Sequence, residues 1–304
     1  MLYLYRIYFS DQCIRYNFAL TKTKNANYMK NVNLKTIVFL SLISLSVISC
    51  KKEEPVDDNT DPGSAKMVAE TTKTYDDVAT MTEEATLMYM EDPNYDSYTF
   101  GPCVIVLHDD VNTILTFDLG TTGCTGLDGR TRMGKIIVDY NGIPREPGST
   151  LSITLDGYSV DGYSVSGTLN YNTLNYNGEG DLEISYSIEN GEYTEPDGSI
   201  VTLECSRTVT WTAGTGSENL YDDVFETTGN FSGSVDGSIY SGEITEPVVF
   251  KSMCWLDGIY YPVSGEWTLD FPDAINRSIN YGDGDCDRDI VIRIGLINYP
   301  YTLP

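Results

Sequence analysis

The chain has 304 residues, with 45 Asp and Glu against 19 Lys and Arg, which gives a formal net charge of −26 at pH 7. This balance argues against nucleic acids and anionic lipid headgroups as partners, because binding either of them requires a basic surface patch. A chain of this length can bury a sizeable core, and we expect a single folded domain of about 200 residues.

A short apolar segment near the N-terminus predicts export. Residues 36–47 are mainly apolar, contain no charged residue and follow Lys30 and Lys35. A run of about 12 residues is typical of the apolar part of a signal peptide and is too short to span a bilayer as a helix. We therefore predict a signal peptide over residues 29–49, starting at Met29. Residues 1–28 are interpreted as an extension upstream of the true start, so Cys13 would belong to no folded domain.

The end of this segment predicts a lipid anchor. Residues 47–50 read VISC and resemble the lipobox of bacterial lipoproteins, which implies cleavage before Cys50 and lipid attachment to its thiol. The alternative is a plain secretory signal in which Cys50 forms a disulfide. Residues 51–54 read KKEE and resemble the export signal of Bacteroidota lipoproteins, which implies a location on the outer face of the outer membrane.

Cleavage before Cys50 would leave a strongly acidic chain with 13 Lys and Arg against 44 Asp and Glu. Residues 51–64 contain two prolines, one glycine and no apolar cluster. Such a segment buries too little apolar surface to offset the entropy lost on ordering. We predict a disordered tether over residues 50–63.

A helix is predicted over residues 64–91. Val68, Thr71, Tyr75 and Val78 recur at steps of three or four residues, and Ser64 is a candidate N-cap. Isolated helices are marginally stable in water, so this helix is expected to dock on the following domain, or else on a partner.

Residues 95–304 are predicted to form a single β domain. Ten short runs are rich in Val, Ile, Thr and Tyr; they cover residues 104–107, 114–119, 135–140, 151–155, 164–171, 182–188, 201–212, 244–250, 266–271 and 290–297. Ten Asp-Gly or Asn-Gly pairs lie mostly where these runs end, and such pairs favour two-residue hairpin turns. The predicted fold is mainly β, an antiparallel meander built as a sandwich or a layered open sheet and preceded by one helix. The tandem repeat DGYSVDGYSV at residues 156–165 is interpreted as a local hairpin or bulge.

Five cysteines remain after Cys13 and Cys50 are set aside, and they can form two bridges in fifteen ways. We favour Cys103 with Cys124 and Cys254 with Cys286, because each pair brackets a predicted hairpin. Cys205 would then be a buried free thiol. Each bridge would contribute roughly 3 kcal/mol of stability on the chain-entropy model.

Several longer segments resemble a family of uncharacterised Bacteroidota surface lipoproteins. The resemblance rests on a core of the form GTTGC-DGR-R-GKI within residues 114–142, on RTVTW at 207–211, and on an ending of the form YGxGxCD at 281–287. It spans about 100–297 and implies kinship without implying an activity. The family ending usually reads GNGTCDN, so Asp283, Asp285 and Asp289 are additional acids here.

These acids form the one metal-like pattern. Asp283, Asp285, Asp287 and Asp289 alternate, and the first three have the 1, 3, 5 spacing of an EF-hand loop, whose oxygen ligands suit calcium. However, the sixth position is Arg288 where the loop requires Gly, and the twelfth is Ile294 where it requires Glu. The alternative is a strand face that meets water.

Catalysis has weaker support in the sequence. His108 is the only histidine and precedes two aspartates, and we interpret it as an exposed turn residue, because no GxSxG, HExxH, CxxC or phosphate-binding loop accompanies it. The many acids permit pairs of the glycosidase type.

The aromatic residues suit either surface contacts or packing. Tyrosines flanked by small polar residues could stack on sugars or protein partners; they include Tyr158, Tyr163, Tyr171, Tyr176 and Tyr240. For Trp211, Trp255 and Trp267 we favour cross-strand packing. The sequence therefore favours a non-enzymatic surface module that binds a glycan or a protein, with a carboxylate-dependent glycan hydrolase as the alternative and no nucleic-acid partner.

Overall fold

The computed structural model describes residues 60–92, 100–126, 128–217, 219–272 and 274–304. The predicted signal peptide, Cys50 and most of the predicted tether lie outside these residues. One long helix, α1 (Gly63–Glu91), precedes fourteen strands: β1 (Ile105–Asp109), β2 (Ile114–Asp118), β3 (Cys124–Thr125), β4 (Thr131–Asn141), β5 (Thr150–Val160), β6 (Tyr163–Tyr176), β7 (Leu182–Thr194), β8 (Ile200–Ala213), β9 (Val224–Val235), β10 (Ser238–Lys251), β11 (Ser264–Asp270), β12 (Arg277–Asp283), β13 (Asp289–Ile294) and β14 (Ile297–Thr302).

The strands form one antiparallel sheet in which neighbours in sequence are neighbours in space. The order runs β1-β2-β4 and then consecutively from β5 to β14, while β3 pairs beside β4 off this path. The prediction of a mainly β antiparallel meander is confirmed. Within the described residues the strands belong to a single continuous sheet, so the open-sheet option holds over the sandwich.

Turn chemistry sets the register of the hairpins. Asp161 and Gly162, with φ of 52° and 90°, connect β5 to β6 directly after the pair Val160 and Tyr163. Both positive angles are those of a two-residue hairpin turn. The first Asp-Gly of the tandem repeat instead lies inside β5, at a register shift in its pairing with β4. The repeat thus contains one bulge and one hairpin turn.

Strands β9 and β12 were not predicted, and one predicted run is divided. β9 contains two glycines and several polar residues, and β12 is short and polar, so neither has a strong strand pattern. Pairing on both sides holds each of them in the sheet. The predicted run at residues 290–297 is two strands, β13 and β14, which are joined by a turn.

Helix α1 is buried around its whole circumference. Residues 71–75 are all buried, and five successive helical residues turn through about 400°. The predicted apolar stripe therefore covers only part of the helix surface that is buried. Ser64 is also not the N-cap: that position is Pro62, and the backbone N–H of Gly63 donates to Asp61 Oδ1 at 3.0 Å.

The concave face of the sheet encloses α1. The ring of Tyr89 lies 5.3 Å from that of His108 on β1, and Arg207 on β8 forms an ion pair with Asp76. At the other edge, the Tyr301 hydroxyl on β14 donates to Glu70. Because strands from both edges contact one helix, the sheet must curve around it, and the prediction that α1 docks on the β domain is confirmed.

The last residues of the predicted tether belong to the folded unit. The backbone carbonyl of Thr60 accepts a hydrogen bond of 2.9 Å from the Tyr299 hydroxyl. Arg277 donates to the backbone carbonyl of Asp61 at 3.4 Å. The tether prediction is therefore too long at its C-terminal end, because contacts with the last strands offset the ordering entropy of these residues.

Candidate functional site

The DGR segment at residues 128–130 forms a turn before β4 that is held by hydrogen bonds to Asp128. Arg132 donates to both carboxylate oxygens of Asp128, at 2.9 and 2.6 Å, and its side chain is only 1% exposed. The backbone N–H of Arg130 donates to the same carboxylate at 3.1 Å. Burial alone would raise the pKa of Asp128, but the hydrogen bonds and charge of Arg132 outweigh burial and lower it. Asp128 is therefore held ionised.

Arg130 joins three parts of the fold. Its Nη1 donates to Asp77 Oδ2 on α1 at 2.8 Å, and its Nε donates to Asp161 Oδ2 in the β5–β6 turn, also at 2.8 Å. Asp161 also accepts from the backbone N–H of Thr131, the first residue of β4. One guanidinium group thus fixes the helix against two strands.

Two buried charges on α1 complete this network. Lys73 Nζ lies 2.6 Å from Asp77 Oδ2, one helical turn away, and the two side chains are 1% and 5% exposed. Lys73 Nζ also lies 4.5 Å from the centre of the Tyr261 ring. Asp77 Oδ1 is buried without a hydrogen-bond partner. Neither residue stands out from the sequence as part of a site, although their spacing of four residues is typical of an ion pair within a helix.

These side chains form one wall of a cavity of about 300 Å³, which we call the charged cleft. Lys73, Asp77, Asp128, Arg130 and Asp161 line this wall. Residues 257–261, Arg288 and Pro304 line the rest of the cleft. The cleft is large enough for a small polar ligand.

A disulfide fixes the part of the cleft formed by residues 257–261 and Arg288. Cys254 lies in the short 3-10 helix Ser252–Asp257 and bonds to Cys286, two residues before Arg288. The Tyr261 hydroxyl donates to the backbone carbonyl of Pro304. Both sides of the charged cleft are therefore anchored.

The predicted cysteine pairing is confirmed. Cys103 bonds to Cys124 and Cys254 bonds to Cys286, while Cys205 is a buried free thiol. Burial raises the pKa of the Cys205 thiol, so the reactive thiolate is disfavoured.

The four alternating aspartates share a cavity but not a metal-binding arrangement. Asp283, Asp285, Asp287 and Asp289 all line a cavity of about 430 Å³. Across the described residues, no group of three or more His, Cys, Asp or Glu side chains could hold a metal ion. Asp287 instead accepts from the backbone N–H of Asp289, which in turn accepts from the Thr302 hydroxyl. The calcium prediction gains no support from this geometry.

His108 lies in strand β1, so the prediction of an exposed turn residue is wrong. Its Nδ1 is 2.8 Å from Asp110 Oδ1, its Nε2 is 2.6 Å from the Tyr140 hydroxyl, and its side chain is 20% exposed. Pairing of β1 with β2 extends to Asp109 and carries the histidine into the sheet. Both ring nitrogens are occupied by these structural contacts.

A third, smaller cavity of about 60 Å³ lies between α1 and the sheet. It contains the ion pair of Arg207 with Asp76 and the aromatic side chains of Tyr186 and Trp255. Burial raises the pKa of Asp76 to about 6 in spite of the opposing charge of Arg207. Arg207 Nε and the Tyr186 hydroxyl have no hydrogen-bond partner there. A space of this size suits a few water molecules.

The prediction of cross-strand packing holds for Trp211 and Trp267, whereas Trp255 lies in the 3-10 helix Ser252–Asp257 and not in a strand. The Trp267 ring contacts that of Phe231 edge-on at 4.6 Å, and Trp255 stacks on Tyr260. Trp211 packs near Phe225 and donates to Asp223.

The five tyrosines proposed for surface contacts differ in exposure. Tyr158 and Tyr240 are buried, Tyr163 and Tyr171 are half-buried, and Tyr176 is 54% exposed. Among these five, only Tyr176 fits a freely exposed contact residue.

Comparisons of the chain with protein-family models, with curated proteins and with solved structures found no match in any of the three. Within the part of the chain that the structure describes, none of the helices has the length and apolar character needed to cross a membrane.

Proposed function

We propose that this protein is a lipoprotein of the Bacteroidota type, anchored through Cys50 in the outer membrane and facing the cell exterior, whose β domain binds a ligand without transforming it. The VISC segment supports the lipid anchor, and the KKEE segment supports the location on the cell exterior. The kinship is supported by the GTTGC-DGR-R-GKI core and the YGxGxCD ending.

The charged cleft is the observation that carries the binding function. Lys73, Asp77, Arg130 and Asp161 form ion pairs within the scaffold, and a disulfide fixes the segments that carry the remaining lining residues. A site of this kind is pre-organised, which lowers the entropy lost when a ligand binds. Asp128 is held ionised by Arg132, whereas a general acid needs a raised pKa.

Protease treatment of intact cells tests the surface location. We expect externally added protease to degrade the β domain while a periplasmic marker protein stays intact. Degradation only after the outer membrane is permeabilised would contradict this location.

A carboxylate-dependent hydrolase remains the second candidate because of Asp76. Its pKa of about 6 is suitable for a general acid, and Glu83 lines the same cavity. Glu83 is engaged by Arg145 at 3.2 and 3.1 Å, however, and the cavity is small. Glycan turnover by the purified domain that disappears in Asp76→Asn would favour the hydrolase over the binding module.

A further inference from the structure

We infer that the charged cleft binds one uncharged sugar residue of a glycan. The inference rests on the proposed binding function and names its ligand class. It is drawn from the charge balance of the cleft, from unused hydrogen-bonding capacity on its buried wall, and from the apolar surface beside that wall.

The charges of the cleft largely compensate one another. Asp77 is paired with Lys73 and Arg130, and Asp161 is paired with Arg130 as well. Asp128 is paired with Arg132 behind the wall. Asp257 and Arg288 also line the cleft and carry opposite charges, so the side chains of the cleft offer a ligand with a net charge no excess of the opposite sign.

The buried wall retains hydrogen-bonding capacity. Asp77 is 3% exposed, its Oδ1 has no partner, and its side chain lines the cleft. Lys73 Nζ has no hydrogen bond beyond its ion pair, although an ammonium group carries three N–H donors. An unused acceptor thus lies beside unused donors. Sugar hydroxyl groups can donate to the first and accept from the second.

The same cleft also offers apolar surface. Ile259, Tyr260 and Tyr261 line it, and both tyrosines are almost fully buried. A sugar residue combines a C–H surface with a rim of hydroxyl groups, so it matches a site in which apolar and hydrogen-bonding surfaces adjoin. A free amino acid also combines both characters, so glycine and alanine are titrated beside the glycosides.

The test is a titration of the purified mature chain with a panel of neutral methyl glycosides, followed by ligand-observed NMR and calorimetry. We expect at least one glycoside to bind with a Kd of about 1 mM or lower. Asp257→Asn and Arg288→Gln change exposed residues that line the cleft, and each should weaken binding about tenfold. Ile259→Trp should abolish binding by filling the cleft.

Two control variants preserve the cleft. Arg293→Gln changes an exposed arginine that contacts Asn298 on β14, and Asp287→Asn changes the separate acidic cavity. Both should bind like the wild type, and circular dichroism should show that every variant is folded.

Three outcomes would overturn the inference: no binding by any glycoside, undiminished binding by Ile259→Trp, or preferential binding of glycine and alanine. These outcomes leave the anchor and surface location intact, because protease treatment of cells tests those separately. Binding of another ligand class would preserve the binding function while refuting its assignment to sugars.

Discussion

At the scale of single residues, Arg130 explains how the DGR segment stabilises the fold. Arg130 pairs with Asp77 and Asp161, and its side chain is only 12% exposed. Burial tends to lower the pKa of Arg130, but the charge of Asp77 and the bond to Asp161 outweigh it and raise this pKa. The segment that suggests kinship therefore also fixes the helix, and its replacement should be felt in stability.

Replacing Arg130 with Gln should lower the free energy of unfolding by about 3 kcal/mol, because the buried Asp77 would lose a cationic partner. Urea denaturation of the purified domain measures this change. Arg293→Gln is the matched control: that side chain is 49% exposed and 3.9 Å from Glu266, so it should change stability by less than about 0.5 kcal/mol. Equal effects of the two substitutions would contradict the role of Arg130.

Glu84 should make the domain less stable at higher pH. Burial raises its pKa from an ordinary value of 4.5 to about 7, with Arg145 opposing the shift. The folded state thus holds this proton more tightly than the unfolded state does, and the stability gained from it is present below about pH 4.5 and lost as the pH rises through about 7.

The variant Glu84→Gln should therefore match the wild type near pH 4.5 and exceed its free energy of unfolding at pH 8, by on the order of 1 to 3 kcal/mol. Urea denaturation at both pH values measures the difference. Glu189→Gln, at an exposed position, should show no such divergence. A Glu84→Gln variant that is no more stable than the wild type at pH 8 would refute this interpretation.

At the scale of elements, most strands were predicted from local sequence signals, and strands without such signals were missed. The Asp161-Gly162 turn and the β-branched runs predicted hairpins, because backbone angles at such turns are set by local sterics. The strands β9 and β12 lack this signal and depend on their neighbours. The helix was recognised by its spacing, but its full burial was not, because a curved sheet that surrounds it is a property of the whole fold.

The bulge in β5 depends on close backbone contact at Gly134. An added Cβ there would lie 2.3 Å from the carbonyl oxygen of Gly157, and Gly134 also has a positive φ of 85°. Gly120 has a φ of 71° but no atom within 4 Å of such a Cβ. Comparing substitutions at the two glycines therefore distinguishes the cost of steric overlap from the cost of backbone strain.

We expect Gly120→Ala to cost about 1 kcal/mol, which is the penalty for a left-handed alanine, and Gly134→Ala to cost at least about 2 kcal/mol more, as overpacking does. Thermal and urea unfolding of both variants measures the difference. Similar losses in the two variants would mean that the close contact at Gly134 contributes nothing.

At the scale of the whole molecule, the candidate site was only partly accessible from sequence. The bridge between Cys254 and Cys286 and the DGR segment were both recognised. Their convergence on Lys73 and Asp77 was not, because residues separated by some 200 positions meet only when the sheet closes around the helix. For the same reason the four alternating aspartates resembled a calcium-binding loop in the sequence, although in the fold they line a cavity.

The proposed lipid anchor would determine how the whole molecule acts, since it would hold the charged cleft outside the cell. Two or three acyl chains make a membrane anchor effectively permanent, because each buried methylene contributes about 0.8 kcal/mol. The free thiol of Cys205 is buried, so Cys205→Ala provides a control that removes a cysteine without removing the anchor.

Membrane fractionation of cells that express Cys50→Ala, with radiolabelled palmitate in the medium, tests the central claim most directly. We expect the wild type and Cys205→Ala to carry the label and to sediment with the outer membrane, and Cys50→Ala to carry no label and to be recovered in a soluble fraction. Continued labelling and membrane attachment of Cys50→Ala would contradict the proposal.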